Sequence, residues 1–137
     1  MTAVTSLGGR LLLVEPQFVL RRTVSSLARS LGLADVGEAT SPAHAEKLLQ
    51  ERRFDALLIA LDDEGESLEL VRRVRAGQSL QPADLPIAAT AVSCDIEMAL
   101  RVKQLDISRL LLKPFKVRGM LEVSTALVGP AAPSSLE

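Results

Sequence analysis

The chain has 137 residues, of which 47% are hydrophobic and 24% charged, the size of one ordinary domain with enough apolar mass for a core. Its 16 basic and 17 acidic side chains leave a formal charge of −1, which gives no global field to attract nucleic acid or an anionic membrane. The single cysteine excludes an intrachain disulfide and a cysteine-built zinc site, and three Phe with no Tyr or Trp argue against a surface for stacking bases.

Residues 1–9 are small and polar, end in two glycines, and read as a flexible leader. Residues 11–14 form a short apolar run like a strand buried on both faces, broken by Pro16. Over 17–31, Leu20, Val24, Leu27 and Leu31 recur at helical spacing, with Gly32 at the C-terminal end. Residues 33–39 are a weaker strand. Ser41-Pro42 starts the next helix, with Ala45, Leu48 and Leu49 on its buried face. Phe54-Asp55-Ala56-Leu57-Leu58-Ile59-Ala60-Leu61 is the strongest buried-strand signal, followed by an acidic loop over 62–66. Leu68, Val71 and Val74 mark a helix ending near Gly77; 86–91 is a fourth strand; Asp95 caps a helix carrying Ile96, Ala99, Leu100 and Leu105. Residues 110–112 form a fifth strand, closed by Lys113-Pro114, and a last helix spans 117–128 with Leu121, Ser124 and Val128 on one side. The Pro- and Ser-bearing stretch 129–137 reads as a flexible tail, its final Leu136-Glu137 as a cloning scar.

A strand–helix unit repeated five times implies an α/β fold, a doubly wound parallel sheet with helices on both faces. One domain over 10–128 is expected. Ligand sites in such folds lie beyond the C-terminal ends of the strands, which here means Glu15, Pro16, Ala60, Asp62, Asp63, Thr90 and Lys113. No apolar run reaches membrane-spanning length and no signal peptide opens the chain; a cytoplasmic protein is expected, with neither membrane nor nucleic acid as partner.

Those positions carry a resemblance. Leu-Leu-Val-Glu-Pro at 12–16, Phe-Asp-Ala-Leu-Leu-Ile-Ala at 54–60, Ser-Leu-Glu-Leu-Val-Arg-Arg-Val-Arg at 67–75, Pro-Ile-Ala-Ala-Thr-Ala at 86–91 and Leu-Leu-Leu-Lys-Pro-Phe at 110–115 resemble, in order and spacing, segments of the receiver domain of bacterial response regulators. The resemblance implies a CheY-like, flavodoxin-like (βα)5 sheet of strand order 2-1-3-4-5. It also implies a site where an acidic pair and an acceptor Asp hold Mg²⁺, a Lys neutralises the phosphoryl group, and a Thr or Ser hydroxyl binds it.

The chain departs from that pattern at the residues that matter most. The acceptor position is Ala60, whose methyl group can neither attack phosphorus nor ligate a metal. Pro16 replaces the second residue of the acidic pair and Leu110 a common aromatic, whereas Glu15, Thr90 and Lys113 fit. A degenerate pseudo-receiver is therefore expected, with no catalytic residue, no cofactor and weak or absent Mg²⁺ binding: a signalling module of a two-component phosphorelay, not an enzyme. The alternative is a phosphoryl-accepting regulator with its acceptor shifted to Asp62 or Asp63, whose plainer role is that of loop carboxylates near a helix N-terminus. A third reading has Lys113 and Thr90 hold a small anion.

Lys113 serves equally well in a structural pair with Glu15, and Thr90 in a bond to backbone. His44 reads as surface, Cys94 as unreactive. The resemblance further implies a protein partner, such as a histidine kinase or another signalling protein, or a homodimer, through the face of the fourth helix, fifth strand and fifth helix. That face is expected to include Glu97, Arg101, Lys103, Gln104, Arg109, Lys116 and Arg118. No output domain follows residue 128 within the chain.

Overall fold

The computed structural model describes residues 9–30, 32, 35–114 and 117–128, with backbone only at 117, 120, 121, 124, 125 and 128. The expected leader and tail thus fall outside the described residues, apart from Gly9, as do Lys116 and the side chains of Leu121, Ser124 and Val128.

Five parallel strands, β1 (Arg10–Val14), β2 (Asp35–Ala39), β3 (Ala56–Ala60), β4 (Ile87–Ala91) and β5 (Arg109–Leu112), form one sheet in the order β2-β1-β3-β4-β5. They alternate with α1 (Phe18–Ser30), α2 (Pro42–Glu51), α3 (Glu66–Arg75), α4 (Ile96–Gln104) and α5 (Val117–Val128). The apolar runs of β1, β3 and β4 are buried because both faces of the sheet are covered. Leu12, Val14, Leu57, Ile59, Ile87 and Ala89 pack with residues of α2, α3 and α4, such as Leu49, Val71 and Val102. Leu11, Leu13, Ala56, Leu58 and Ala88 pack with Val24 and Ala28 of α1 and Val123 of α5.

Local chemistry sets the boundaries. The Ser41 hydroxyl accepts the His44 N–H at 3.1 Å with Pro42 opening α2, and the Asp95 carboxylate accepts the Met98 N–H at 2.8 Å, as their positions in the sequence predict. Gly77 (φ 80°) closes α3 by donating to the Val74 carbonyl. Gly37 packs closely on Phe54: a Cβ there would lie 3.2 Å from the ring, which would have to shift to admit it.

Three helix faces differ from the sequence pattern. In α1, Leu27 is exposed and Leu20 half-buried, whereas Arg21, Val24, Ser25 and Ala28 are buried. The burial of Arg21 rests on polar contacts that apolar periodicity does not register. In α2, Leu48 is half-buried beside a buried Ala45 and Leu49. In α4, Ile96, Ala99 and Leu100 are exposed; Val102 is buried, with Met98 and Leu105 packed against the core. The sheet holds fewer residues of the third apolar run than expected: β3 begins at Ala56, with Phe54 buried just before it, while residues 33 and 34 of the expected second strand lie outside the described residues.

Two polar side chains tie loops to this frame. Buried Gln81 accepts the Phe54 N–H at 2.9 Å and donates to the carbonyls of Leu49 and Arg52, joining the end of α2 to the start of β3. The Arg75 guanidinium donates to the carbonyls of Leu105 (2.7 Å), Leu85 (2.7 Å), Ala83 (2.8 Å) and Asp106 (3.1 Å). Burial pushes its pKa down, against the opposing pull of Asp106 and Asp84.

Candidate functional site

Strand alternation puts Glu15, Ala60, Thr90 and Lys113 on the α1/α5 side of the sheet, each in step with a residue packed there: Leu13, Leu58, Ala88 and Leu111. Ala60 and Thr90 are register partners on β3 and β4. The ladder continues past the strand ends: Glu15 N–H donates to the Ala39 carbonyl at 3.1 Å, Leu61 N–H to Thr90 at 2.7 Å, and Lys113 N–H to Ala91 at 2.7 Å. All four residues are therefore held at the C-terminal edge of the sheet, where the sequence placed them.

The chemistry of the cluster is an ion pair. Lys113 Nζ donates to Glu15 Oε1 at 2.9 Å, with side-chain exposures of 17% and 2%. The second Glu15 oxygen accepts the Gln17 N–H at 2.9 Å. Arg21 donates through one guanidinium nitrogen to the Glu15 carbonyl (2.8 Å) and through Nε to Glu38 (3.2 Å), with its guanidinium carbon 5.5 Å from the Phe18 ring centre. Arg22 and Arg29 also reach Glu38, at 3.3 and 3.7 Å. A buried charge pair persists only when its remaining polar atoms are satisfied, and here the carboxylate is engaged at both oxygens.

Ala60 ends β3 half-buried, with a methyl group where the resemblance would have a carboxylate. Its carbonyl accepts the Ser67 hydroxyl at 2.8 Å, while Ser67 N–H donates to Asp62 Oδ1 at 3.1 Å. Asp62 thus serves the first turn of α3, and Asp63 is exposed. Thr90 differs from expectation. It is buried, yet its hydroxyl bonds to no backbone and finds no partner among the described residues.

These residues do not fit a divalent cation. Mg²⁺ requires several oxygen donors in near-octahedral array. Ala60 and Pro16 supply no side-chain oxygen, and the carboxylate of Glu15 is committed to Lys113 and Gln17. Among the described residues no group of three His, Cys, Asp or Glu is placed to hold a metal.

Of the expected interaction face, Glu97, Lys103, Gln104, Arg109 and Arg118 are exposed and Arg101 is half-buried. Arg118 lies 3.9 Å from Glu122. The sequence reading missed Arg21 and Ser67. Ser67 had one signal: Gly65 before α3 has no side chain to cap the helix, so a neighbour must satisfy its free amides. Arg21 had none, since Glu38 meets it only through the tertiary fold.

No model of a known protein family matches the chain. The chemotaxis protein CheY-3 of Vibrio cholerae is 24% identical over 123 residues, spanning 89% of this chain and 93% of its own. The chemotaxis protein CheY of Pseudomonas aeruginosa is 25% identical over 114 residues, spanning 82% and 90%. Among solved structures, the non-phosphorylated HemR receiver domain of Leptospira biflexa superposes with a TM-score of 0.75 at 23% identity, over 89% of this chain and 98% of its own. Among the described residues no helix is long and apolar enough to cross a membrane. In strand order and in likeness to these proteins along nearly its whole length, the chain has the CheY-like, flavodoxin-like α/β fold.

Proposed function

We propose that the chain is a receiver-like module of two-component signalling that works without phosphorylation, by binding another protein, and that it is not itself an enzyme. One observation carries this reading: β3 ends in Ala60, and the ammonium of Lys113, which would neutralise an incoming phosphoryl group, is held 2.9 Å from Glu15. A site without nucleophile or metal donors, its cation already paired, has no means of accepting a phosphoryl group. Mg²⁺ binds weakly or not at all on this reading, and no cofactor is required.

Nothing favours a shifted acceptor. Asp62 accepts a backbone N–H of α3 through Oδ1, the part of a carboxylate that caps a helix. The binding face is that of α4, β5 and α5. Ile96 (79% exposed), Leu100 (55%) and Leu112 (50%) place apolar area there among charges of both signs, a composition suited to a protein partner. A histidine kinase or a second signalling protein fits it, as does a second copy of the chain.

The test is a titration with Mg²⁺ and beryllofluoride, a mimic of aspartyl phosphate, followed by backbone amide shifts. No response is expected near residues 15, 60, 90 and 113. Saturable shifts there, lost in Asp62→Ala or Asp63→Ala, would replace this reading with that of an active regulator.

A further inference from the structure

A cleft opens at the C-terminal edge of the sheet, between the start of α1, the loop after β4 and the end of β5. Its volume is about 420 Å³, and Gln17, Leu20, Val92, Lys113 and Pro114 line it. Both the size and the lining, apolar walls with a few polar groups, suit a small molecule. Leu20, Val92 and Pro114 form the walls, and Val92, 77% exposed, leaves apolar area to water at the mouth. The clefts on either side of α3 differ: Glu46, Glu66 and Glu69 wall one, Asp62, Asp63 and Glu97 the other.

The polar end of the cleft is Lys113. A lysine ammonium has three N–H donors, and Glu15 is the one acceptor bonded to it among the described residues. N–H groups are thus left over for a ligand, but charge is not. Glu15 balances the ammonium at 2.9 Å and is itself held by the Gln17 N–H. An anion entering the cleft would give up its water to meet Glu15 as well as Lys113, with no net charge to receive it. A neutral oxygen needs only a spare N–H, and its desolvation is the smaller cost. Thr90, which with Lys113 would suit a small anion, is buried and does not line the cleft.

We propose that this cleft binds a small, uncharged, mainly apolar molecule with a carbonyl oxygen. The oxygen accepts from Lys113 Nζ, and the body lies on Leu20, Val92 and Pro114. The site goes beyond the proposed function, and it stands whether or not the α4–β5–α5 face binds a protein.

Titrating the full chain with three probes of similar shape tests this, read by backbone amide shifts. The probes are benzylacetone, a neutral ketone; hydrocinnamate, its carboxylate counterpart; and butylbenzene, the hydrocarbon. Benzylacetone is expected to give saturable shifts at residues 17, 20, 92 and 113, and to bind about tenfold more tightly than either of the others. In Glu15→Gln, where nothing balances the ammonium, hydrocinnamate should overtake it. Val92→Asp, a change at an exposed side chain, should abolish the ketone's shifts with the thermal midpoint unchanged, and serves if Glu15→Gln folds poorly. Tighter binding of hydrocinnamate to the wild-type chain would replace the proposal with an anion site. Equal binding of butylbenzene would remove Lys113 from the site and overturn the proposal, as would the lack of any saturable shift with benzylacetone.

Discussion

Thr90 encloses a hydroxyl that makes no hydrogen bond among the described residues, beside a strand partner, Ala60, that offers only a methyl group. Burying an unpaired hydroxyl costs on the order of 1–3 kcal/mol. Thr90→Val keeps the shape and removes that cost, so it is expected to stabilise the fold by about 1 kcal/mol and raise Tm by about 3 °C in thermal unfolding; a drop would mean that the hydroxyl is satisfied in solution. Glu69 supplies a pH-dependent counterpart. The hydrogen bond from Arg72, aided by the nearby charges of Arg72, Arg73 and Arg101, holds its carboxyl below the ordinary glutamate value. The pair's contribution is therefore present above that ordinary value and lost as pH falls through the lowered one. Side-chain carbonyl shifts in an acid titration should place the Glu69 midpoint below that of a free glutamate, and Arg72→Gln should remove most of the depression, Arg73 and Arg101 keeping the rest. At this scale the sequence was legible wherever a residue stands at or within one position of a strand end, as Glu15, Ala60, Thr90 and Lys113 do. It was not legible for Arg21, whose burial depends on Glu38 and on the Glu15 carbonyl, both brought to it by the folded sheet.

The helices show why periodicity fixes an element more firmly than its buried face. In α4 the apolar residues Ile96, Ala99 and Leu100 announce a helix, and the Asp95 cap places its start. Nothing local tells whether that stripe meets the core or a partner, and here it lies outside. The strands were clearer, because β3 and β4 are buried on both faces and must be apolar throughout. Loops gain their order from Arg75, which no apolar pattern would single out. Its guanidinium satisfies four carbonyls from the loops before β4 and β5. Arg75→Met keeps the apolar stem and strands those acceptors, with an expected loss of about 2 kcal/mol in chemical denaturation and faster proteolysis between residues 76 and 86. Arg75→Lys should recover only part of the loss, since one ammonium cannot span the four carbonyls.

For the whole molecule, the edge strand β5 and the apolar patch of α4 lie open on the same flank. If the face binds a second copy of the chain, Ile96→Asp and Leu100→Asp should abolish that association, read by sedimentation, while leaving thermal stability unchanged within about 0.5 kcal/mol. A loss of stability would show that these side chains belong to the core after all. The order of the five strands was legible from the resemblance, and the structure has that order. The bond between the first and last strands has a consequence for how the fold is reached. Glu15 and Lys113 stand 98 residues apart in sequence, and their contact is expected to close after β3 and β4 have been laid between them. An interaction made that late is absent from the folding transition state, and removing it acts on the escape from the native state. Glu15→Gln should therefore leave the refolding limb of a denaturant chevron in place and raise the unfolding limb. The ion pair would then govern how long the protein stays folded, and have little part in how quickly it gets there.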